Sequence, residues 1–192
     1  MRHEPEGATP LTEDEQEGLV PEHISTREEL NEWEHANIEE AELWVFGRKR
    51  SDFLTNTFVR ELHRKMFDNT WDWAGQFRRS EKNIGVPATH IGVMLQDSIN
   101  DVLYWIANEI FPLPEIAARY HHRLVYIHPF PNGNGRHARL SADVLLFNLN
   151  RERLNWGGRL EGPDSTRKEY IHALQDADRG DFNRLLRYLK MP

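Results

Sequence analysis

The chain has 192 residues, of which 39% are hydrophobic and 29% charged, a composition typical of one globular domain. It has no apolar run long enough to cross a bilayer, no signal-peptide core near its start and no cysteine for disulfide or thiolate chemistry, so we expect a cytoplasmic protein without a membrane partner. The formal net charge of −7 argues against a nucleic-acid partner, because neutralising phosphates along a duplex requires a basic surface.

The first helical signal follows a polar N-terminal stretch. Residues 1–24 are acidic between positions 13 and 17, which predicts an arm with at most one short helical turn. A long helix is predicted to begin after Ser25, because Thr26 and Glu29 have the spacing of a capping box, and to end near Gly47. Its apolar stripe comprises Leu30, Trp33, Ile38, Ala41, Trp44 and Val45.

The middle of the chain alternates between helical and irregular signals. A second helix is predicted from Ser51 or Asp52 to Phe67, and residues 71–79 read as a turn anchored by two tryptophans. The next residues, SEKNIGVPATHIG, lack a helical stripe and contain Gly85 and Pro87, which predicts a β-hairpin or an extended loop.

The second half of the chain is helical almost throughout. Apolar stripes cover residues 91–111, 114–127 and a segment that starts at Asn134. After a loop over residues 150–158, a capping box at Thr166 opens another helix, Gly180 ends it, and a last helix follows Asp181. The pattern predicts an all-α fold whose central helical hairpin, residues 115–149, holds a loop between its members.

That loop and the following turn, residues 128–139, read HPFPNGNGRHAR. Glycines allow positive φ and a close approach of backbone to ligand, so the amides of Gly133, Asn134 and Gly135 are predicted to form an anion-binding nest. A helix start at Asn134 adds unpaired N–H groups and a positive dipole end. Arg136 and Arg139 share one face of the first turn and can donate charge-assisted hydrogen bonds. The combination suits a di- or triphosphate.

His128 stands at the other end of this loop, before Pro129. Proline disfavours the α conformation in the residue that precedes it, which predicts that the preceding helix ends here. An imidazole titrates near neutral pH and can accept the proton of a hydroxyl that attacks a bound phosphate. A base, an anion nest and two arginines together predict phosphoryl or nucleotidyl transfer.

These residues resemble the signature of the Fic family, in which HxF, any residue and an acid precede GNGRxxR. The matching positions are His128, Phe130, Gly133, Asn134, Gly135, Arg136 and Arg139. Asn132 stands where the family usually carries the Asp or Glu that holds magnesium, and a neutral amide oxygen is a weaker ligand for that ion. With this asparagine, its length and its flanking segments, the chain is most similar to the Fic subgroup called mobile mystery protein B.

The resemblance implies a Fic-like helical bundle with a small β-hairpin flap, and transfer of AMP from ATP to a hydroxyl side chain of a protein. It implies that His128 takes the proton, that Arg136 and Arg139 stabilise the β- and γ-phosphates, and that Asn132 helps to position Mg²⁺. In this family the flap binds the protein substrate by backbone pairing. The flap residues here are Lys82, Asn83, Ile84, Gly85 and Val86.

Some members of the family also carry an inhibitory glutamate on an N-terminal helix, which pairs with the second motif arginine and blocks the γ-phosphate. Glu34 is the candidate here, because Glu29 already has a capping role. A separate inhibitory partner is the other option.

Three alternatives for function stay open. The asparagine at 132 would suit a nucleotide-binding regulator or pseudoenzyme that binds ATP without transferring from it. Another Fic-type phosphotransferase is the second, although the phosphorylating branch has a lysine where this chain has Gly135. The third is a protein-interaction module, in which the GNGR residues form only a tight turn between two helices.

For the domain organisation, we expect an arm over residues 1–24 and one Fic-like helical domain over 25–192, with a core of about residues 51–150.

Overall fold

The computed structural model describes residues 10–156 and 164–189. Within those ranges the chain is helical, which confirms the all-α class for this part of the chain. The elements are α1 (Glu13–Glu17), α2 (Arg27–Phe46), α3 (Asn56–Phe67), a 3₁₀ helix (Ala88–His90), α4 (Ile91–Ala107), α5 (Leu113–Ile127), α6 (Asn134–Asn148), α7 (Asp164–Asp178) and α8 (Asn183–Tyr188). The capping role predicted for the Thr166 side chain lies outside the described residues.

Local signals set most helix ends. The predicted capping box of α2 is present, since the Thr26 hydroxyl accepts from the Glu29 amide at 3.2 Å and the Glu29 carboxylate accepts from the Thr26 amide at 2.9 Å. Helix α3 begins later than predicted, because Thr55 is its N-cap. Helix α4 ends at Ala107 rather than 111, because Glu109 adopts a left-handed φ of 51°.

The inner face of α2 differs from the predicted stripe. The apolar stripe predicts Trp33 in the core, but the residue is 40% exposed and donates its indole N–H to the carbonyl of Asn69 at 3.0 Å. Glu34 and Asn37 are buried instead, in line with Ala41 and Val45. Helix α2 therefore directs Glu34 and Asn37 toward the interior of the protein, because each has a hydrogen-bond partner there.

Helix α6 lies at the centre of the molecule. It packs against α5 on one side, and against α3 and α2 on the other. Its residues Ala142 and Leu145 belong to the apolar cluster built with α4 and α5, whereas Leu140 and Val144 belong to the cluster built with α2 and α3. A helix buried on both sides is held rigidly, so its N-terminus and the preceding loop have a fixed position.

No strand is present in the part of the chain that the structure describes, so the β-hairpin flap is not confirmed. Residues 80–87 follow an irregular path. Gly85 has a φ of +100°, and the carbonyl of Val86 accepts from the guanidinium of Arg78 rather than from a partner strand. The carbonyls of Ser80 and Val86 accept hydrogen bonds from the Arg78 side chain, so they are not available for pairing between two strands.

Residues 10–24 lie against the turn that follows α3. The amide of Val20 donates to Thr70 at 2.9 Å, the amide of Asp72 donates to Gly18 at 2.9 Å, and the indole of Trp73 donates to the carbonyl of Glu15 at 2.9 Å. These contacts tie α1 to the helical body. The division of the chain at residue 24 stays a prediction.

Among the helices of residues 10–156 and 164–189, none combines the length and the apolar character that a bilayer crossing requires.

Candidate active site

His128 terminates α5, as the following proline predicts. It is the C-cap residue, with a left-handed φ of 54° and ψ of 60°, and its amide donates to the carbonyl of Leu124 at 3.0 Å. A left-handed conformation is uncommon for a residue other than glycine and persists only when the surroundings hold it. The residue is 6% exposed, so the ring lies within the site rather than in bulk water.

Burial governs the protonation state of His128. Removal from water disfavours the imidazolium form, and the positive charges of Arg78 and Lys82 oppose it further, which lowers the pKa of His128 to about 4. The ring is therefore neutral at physiological pH and can accept a proton.

The loop after His128 is anchored by Phe130 and Asn134. Phe130 is fully buried and stacks on the ring of His63 with centroids 3.7 Å apart. The Asn134 side chain bonds both backbone groups of Phe130, accepting from the amide at 2.9 Å and donating to the carbonyl at 2.8 Å. Asn134 thus holds the loop through its side chain while its own amide belongs to the first turn of α6.

The two glycines of the motif have different roles. Gly133 is the N-cap of α6 with a φ of 76°, and a Cβ there would lie 2.5 Å from the ring of Phe67. Gly135 lies inside the helix, and a Cβ there would meet no atom within 4 Å apart from its chain neighbours and the backbone of its own helix. The positive φ predicted for both is present at Gly133 only. Open space beside Gly135, at the amide end of the helix, leaves room for an anion.

Asn132, the predicted metal ligand, makes one hydrogen bond within the motif and one to a distant helix. Its side-chain oxygen accepts from the amide of Gly133 at 2.5 Å, and its backbone carbonyl accepts from the Nε2 of His63 at 3.0 Å. His63 in turn accepts from the amide of Gly75 through Nδ1 at 3.0 Å. A ring that donates on one side and accepts on the other is neutral, and burial also holds the pKa of His63 well below its usual range.

The two motif arginines have different neighbours. Arg136 bonds Glu34 on α2, with Nη1 and Oε2 2.5 Å apart, and lies 5.0 Å over the ring of Phe67. Arg139 is partly buried, and the loss of water around its guanidinium lowers its pKa; the groups whose charge acts on it include Tyr170 and Asp143. Glu34 therefore pairs with the first motif arginine, whereas the resemblance implied the second.

Glu34 is held in place by a second contact. Its other carboxylate oxygen accepts from the indole N–H of Trp71 at 2.8 Å, and only 5% of its side chain is exposed. A third of the Arg136 side chain, 33%, remains exposed. The pair is anchored on the glutamate side and accessible on the arginine side.

The predicted flap residues are partly exposed. Asn83, Ile84 and Gly85 lie at the surface, whereas Val86 is buried. The Lys82 side chain is only 3% exposed, because its ammonium group is paired with Glu15 of α1 and also donates to the carbonyl of Pro10 at 3.0 Å. Glu15 accepts from Ser80 as well, at 2.7 Å.

The sequence does not identify Arg78, His63 and Glu15 as residues of the site. Each lies outside the motif, and each contacts it or the flap through hydrogen bonds that only the tertiary structure creates. The pair Arg78–Arg79 reads like two surface arginines, and nothing local distinguishes the buried member from the exposed one.

Comparison with known proteins agrees with this geometry. The model of the Fic/DOC family matches residues 53–146. The chain therefore contains a Fic/DOC family domain. It is 34% identical over 148 residues to the protein adenylyltransferase fic-1 of Caenorhabditis elegans, covering 73% of this chain and 27% of that protein. It is 28% identical over 148 residues to the protein adenylyltransferase Fic of Aedes aegypti, covering 73% of this chain and 28% of that protein.

The fold is similar to that of a solved relative. A structure of residues 134–508 of C. elegans Fic-1 superposes with a TM-score of 0.69 and 25% identity, covering 91% of this chain and 51% of that one. The chain spans about a quarter of the length of the curated relatives it matches, 27% and 28%.

Proposed function

We propose that this chain is a protein adenylyltransferase that transfers AMP from ATP to a hydroxyl side chain of a target protein. The observation that carries the proposal is the connection of α5 to α6, where a neutral, buried His128 and an amide-rich helix start with open space at Gly135 are separated by one anchored loop. The curated relatives with which it shares this domain are named protein adenylyltransferases.

The proposed reaction needs one proton acceptor. His128 takes the proton from the target hydroxyl, whose oxygen then forms a bond to the α-phosphorus of ATP. The bond from that phosphorus to the bridging oxygen of the β-phosphate breaks, and pyrophosphate leaves with the electron pair. The phosphate charges near the ring raise the proton affinity of His128 when ATP is bound, which offsets the effect of its burial.

The leaving group is stabilised by α6. The amides of Gly135 and its neighbours at the helix start face an anion, and the helix dipole adds to their effect. Arg136 supplies a mobile cation once it leaves Glu34, and Arg139 supplies a partly buried one from the next turn. The amides at the helix start are fixed donors, which are effective because they need no reorganisation as charge develops.

The described residues provide few ligands for a magnesium ion. They contain no group of three His, Cys, Asp or Glu residues that could hold a metal. Asn132 would contribute one neutral oxygen, already shared with the amide of Gly133, so phosphate oxygens would provide most of the ligands. A bound Mg²⁺ would neutralise charge on the phosphates.

The target segment would lie along residues 82–86. Asn83, Ile84 and Gly85 are exposed, and Gly85 lies beside His128; pairing of an extended peptide with the backbone of this segment would require little of the target sequence. Strand pairing there would then be between the target peptide and this segment.

Glu34 would act as a built-in inhibitor. It neutralises Arg136, so a triphosphate must break this ion pair before it can use the arginine. The assignment to the mobile mystery protein B subgroup and the cytoplasmic location are further parts of the proposal that rest on sequence resemblance and composition.

Transfer of label tests the proposal. The Glu34→Gln chain is incubated with ATP labelled at either the α- or the γ-phosphate, alone and with lysate proteins as acceptors. We expect protein-bound label from the α position only, and none with His128→Ala. Saturable ATP binding without transfer would favour the regulator that Asn132 suggests, and γ-label would favour a different phosphotransferase.

A further inference from the structure

Arg78 is a buried cation that binds the backbone of two segments at once. Its side chain is 0% exposed. The Nε donates to the carbonyl of His128 at 2.7 Å, Nη1 donates to the carbonyl of Ser80 at 3.0 Å, and Nη2 donates to the carbonyl of Val86 and, at 3.5 Å, to that of Ile127. The backbone amide of Arg78 also donates to Pro129, at 2.9 Å.

The two segments joined by Arg78 are the end of α5 and the predicted flap. A Cβ on Gly85 would lie 2.6 Å from the Cβ of His128 and 2.9 Å from an Arg78 nitrogen. The amide of Val86 donates to the carbonyl of Ile127 at 3.4 Å. The flap backbone at Gly85 therefore packs directly against His128, and the guanidinium of Arg78 lies beside both.

We propose that Arg78 is a positioning residue: it fixes the distance between His128 and the segment 82–86, on which the target is held. The inference rests on the proposed function, because it assigns a purpose to this spacing in AMP transfer. Arg78 acts through the backbone of both segments and contacts neither the helix start nor the motif arginines in the described structure.

The chemistry of the side chain explains why an arginine is needed. A guanidinium has five N–H donors in a rigid, planar arrangement, so it can serve several carbonyls that converge from different directions. The left-handed backbone of His128 requires such outside support. A lysine would keep the charge but would hold fewer carbonyls, and with less directional control.

The charge of Arg78 also faces the ring of His128. Together with Lys82, the other cation that acts on this ring, it disfavours the imidazolium form, in addition to the effect of burial. Charge and hydrogen bonding can therefore be separated by two substitutions at one position.

The experiment compares Arg78→Met and Arg78→Lys with a matched control, Arg79→Met, which removes the exposed neighbouring arginine. Backbone hydrogen exchange is measured over residues 80–87 and 127–130, and the titration of His128 is followed by NMR, assigned with His128→Gln. We expect faster exchange in both Arg78 variants. The pKa of His128 should rise in Arg78→Met only. The control should match the unmodified chain in both measurements.

Activity supplies the second readout. In chains that also carry Glu34→Gln, Arg78→Met should lower the rate of AMP transfer about 100-fold, as expected when a reacting group moves by about 1 Å, while the dissociation constant of a non-hydrolysable ATP analogue stays the same. Parallel loss of nucleotide binding and transfer would indicate general destabilisation and would overturn the proposal, as would unchanged exchange in Arg78→Lys. If Arg78→Met does not fold, hydrogen exchange in Arg78→Lys alone tests the proposal. If the Glu34→Gln chain transfers no AMP, the proposed function fails, whereas the hydrogen-exchange and titration results still test the positioning role of Arg78.

Discussion

Replacing Glu34 with glutamine should release Arg136 for nucleotide binding. Glutamine keeps an oxygen that can accept from the indole of Trp71, as the carboxylate does at 2.8 Å. It removes the negative charge and turns an N–H donor toward the guanidinium. The substitution thus breaks the ion pair while preserving the neighbouring hydrogen bond.

The size of the effect follows from the exposure of the two partners. A pair of unit charges 4 Å apart near a protein surface attracts by about 4 kcal/mol. The Arg136 side chain is 33% exposed, so water screens part of this attraction, and we use about 2 kcal/mol, within the range of charged hydrogen bonds. Since about 1.4 kcal/mol corresponds to tenfold in affinity, Glu34→Gln should tighten ATP binding by roughly 10- to 100-fold.

Isothermal titration calorimetry with a non-hydrolysable ATP analogue and Mg²⁺ measures this change. Glu39→Gln is the matched control, because Glu39 is an exposed residue of the same helix whose carboxylate pairs with His35 at 3.0 Å. Equal affinities for Glu34→Gln and the unmodified chain, or an equal gain in Glu39→Gln, would show that the ion pair does not restrict the nucleotide.

Three further predictions concern the metal, the flap and the response to acid. Asn132→Asp should raise Mg²⁺-dependent AMP transfer by restoring a charged ligand, and an unchanged magnesium dependence would count against this account of the site. Glu15→Gln should free Lys82 and speed hydrogen exchange over residues 80–87, because Glu15 binds both Lys82 and this segment; exchange as slow as in the unmodified chain would contradict it. Burial lowers the pKa of His137 from 6.5 to about 4, so between these values the unfolded chain binds a proton that the folded chain excludes, and stability should fall by about 3 kcal/mol from this residue as the pH drops. Asp143, whose pKa burial raises to about 6, opposes the trend, but the other buried histidines add to it, so urea unfolding that shows constant stability across this range would refute the reasoning.

Features that depend on neighbouring residues could be predicted from the sequence. The start of α2 follows from a capping box, and the start of α6 follows from the Gly133 position and the apolar stripe after it. The end of α5 at His128 follows from the next proline. In each case the interaction that sets the boundary lies within a few residues along the chain.

Features that depend on distant partners could not be predicted in the same way. The burial of Glu34 in place of Trp33 depends on Trp71 and Arg136, which are far away in sequence. The glycine and proline near residue 85 indicate an irregular segment, but they do not show that Arg78 would take its carbonyls. These positions are set by tertiary hydrogen bonds, for which the local pattern carries no signal.

The most direct test of the central claim is a crystal structure of the Glu34→Gln chain soaked with a non-hydrolysable ATP analogue and Mg²⁺. The account predicts a triphosphate at the start of α6, with Gly135 and Arg136 in contact with it and the α-phosphorus beside the ring of His128. A nucleotide bound elsewhere, or one whose γ-phosphate occupies the position beside His128, would contradict AMP transfer by this site.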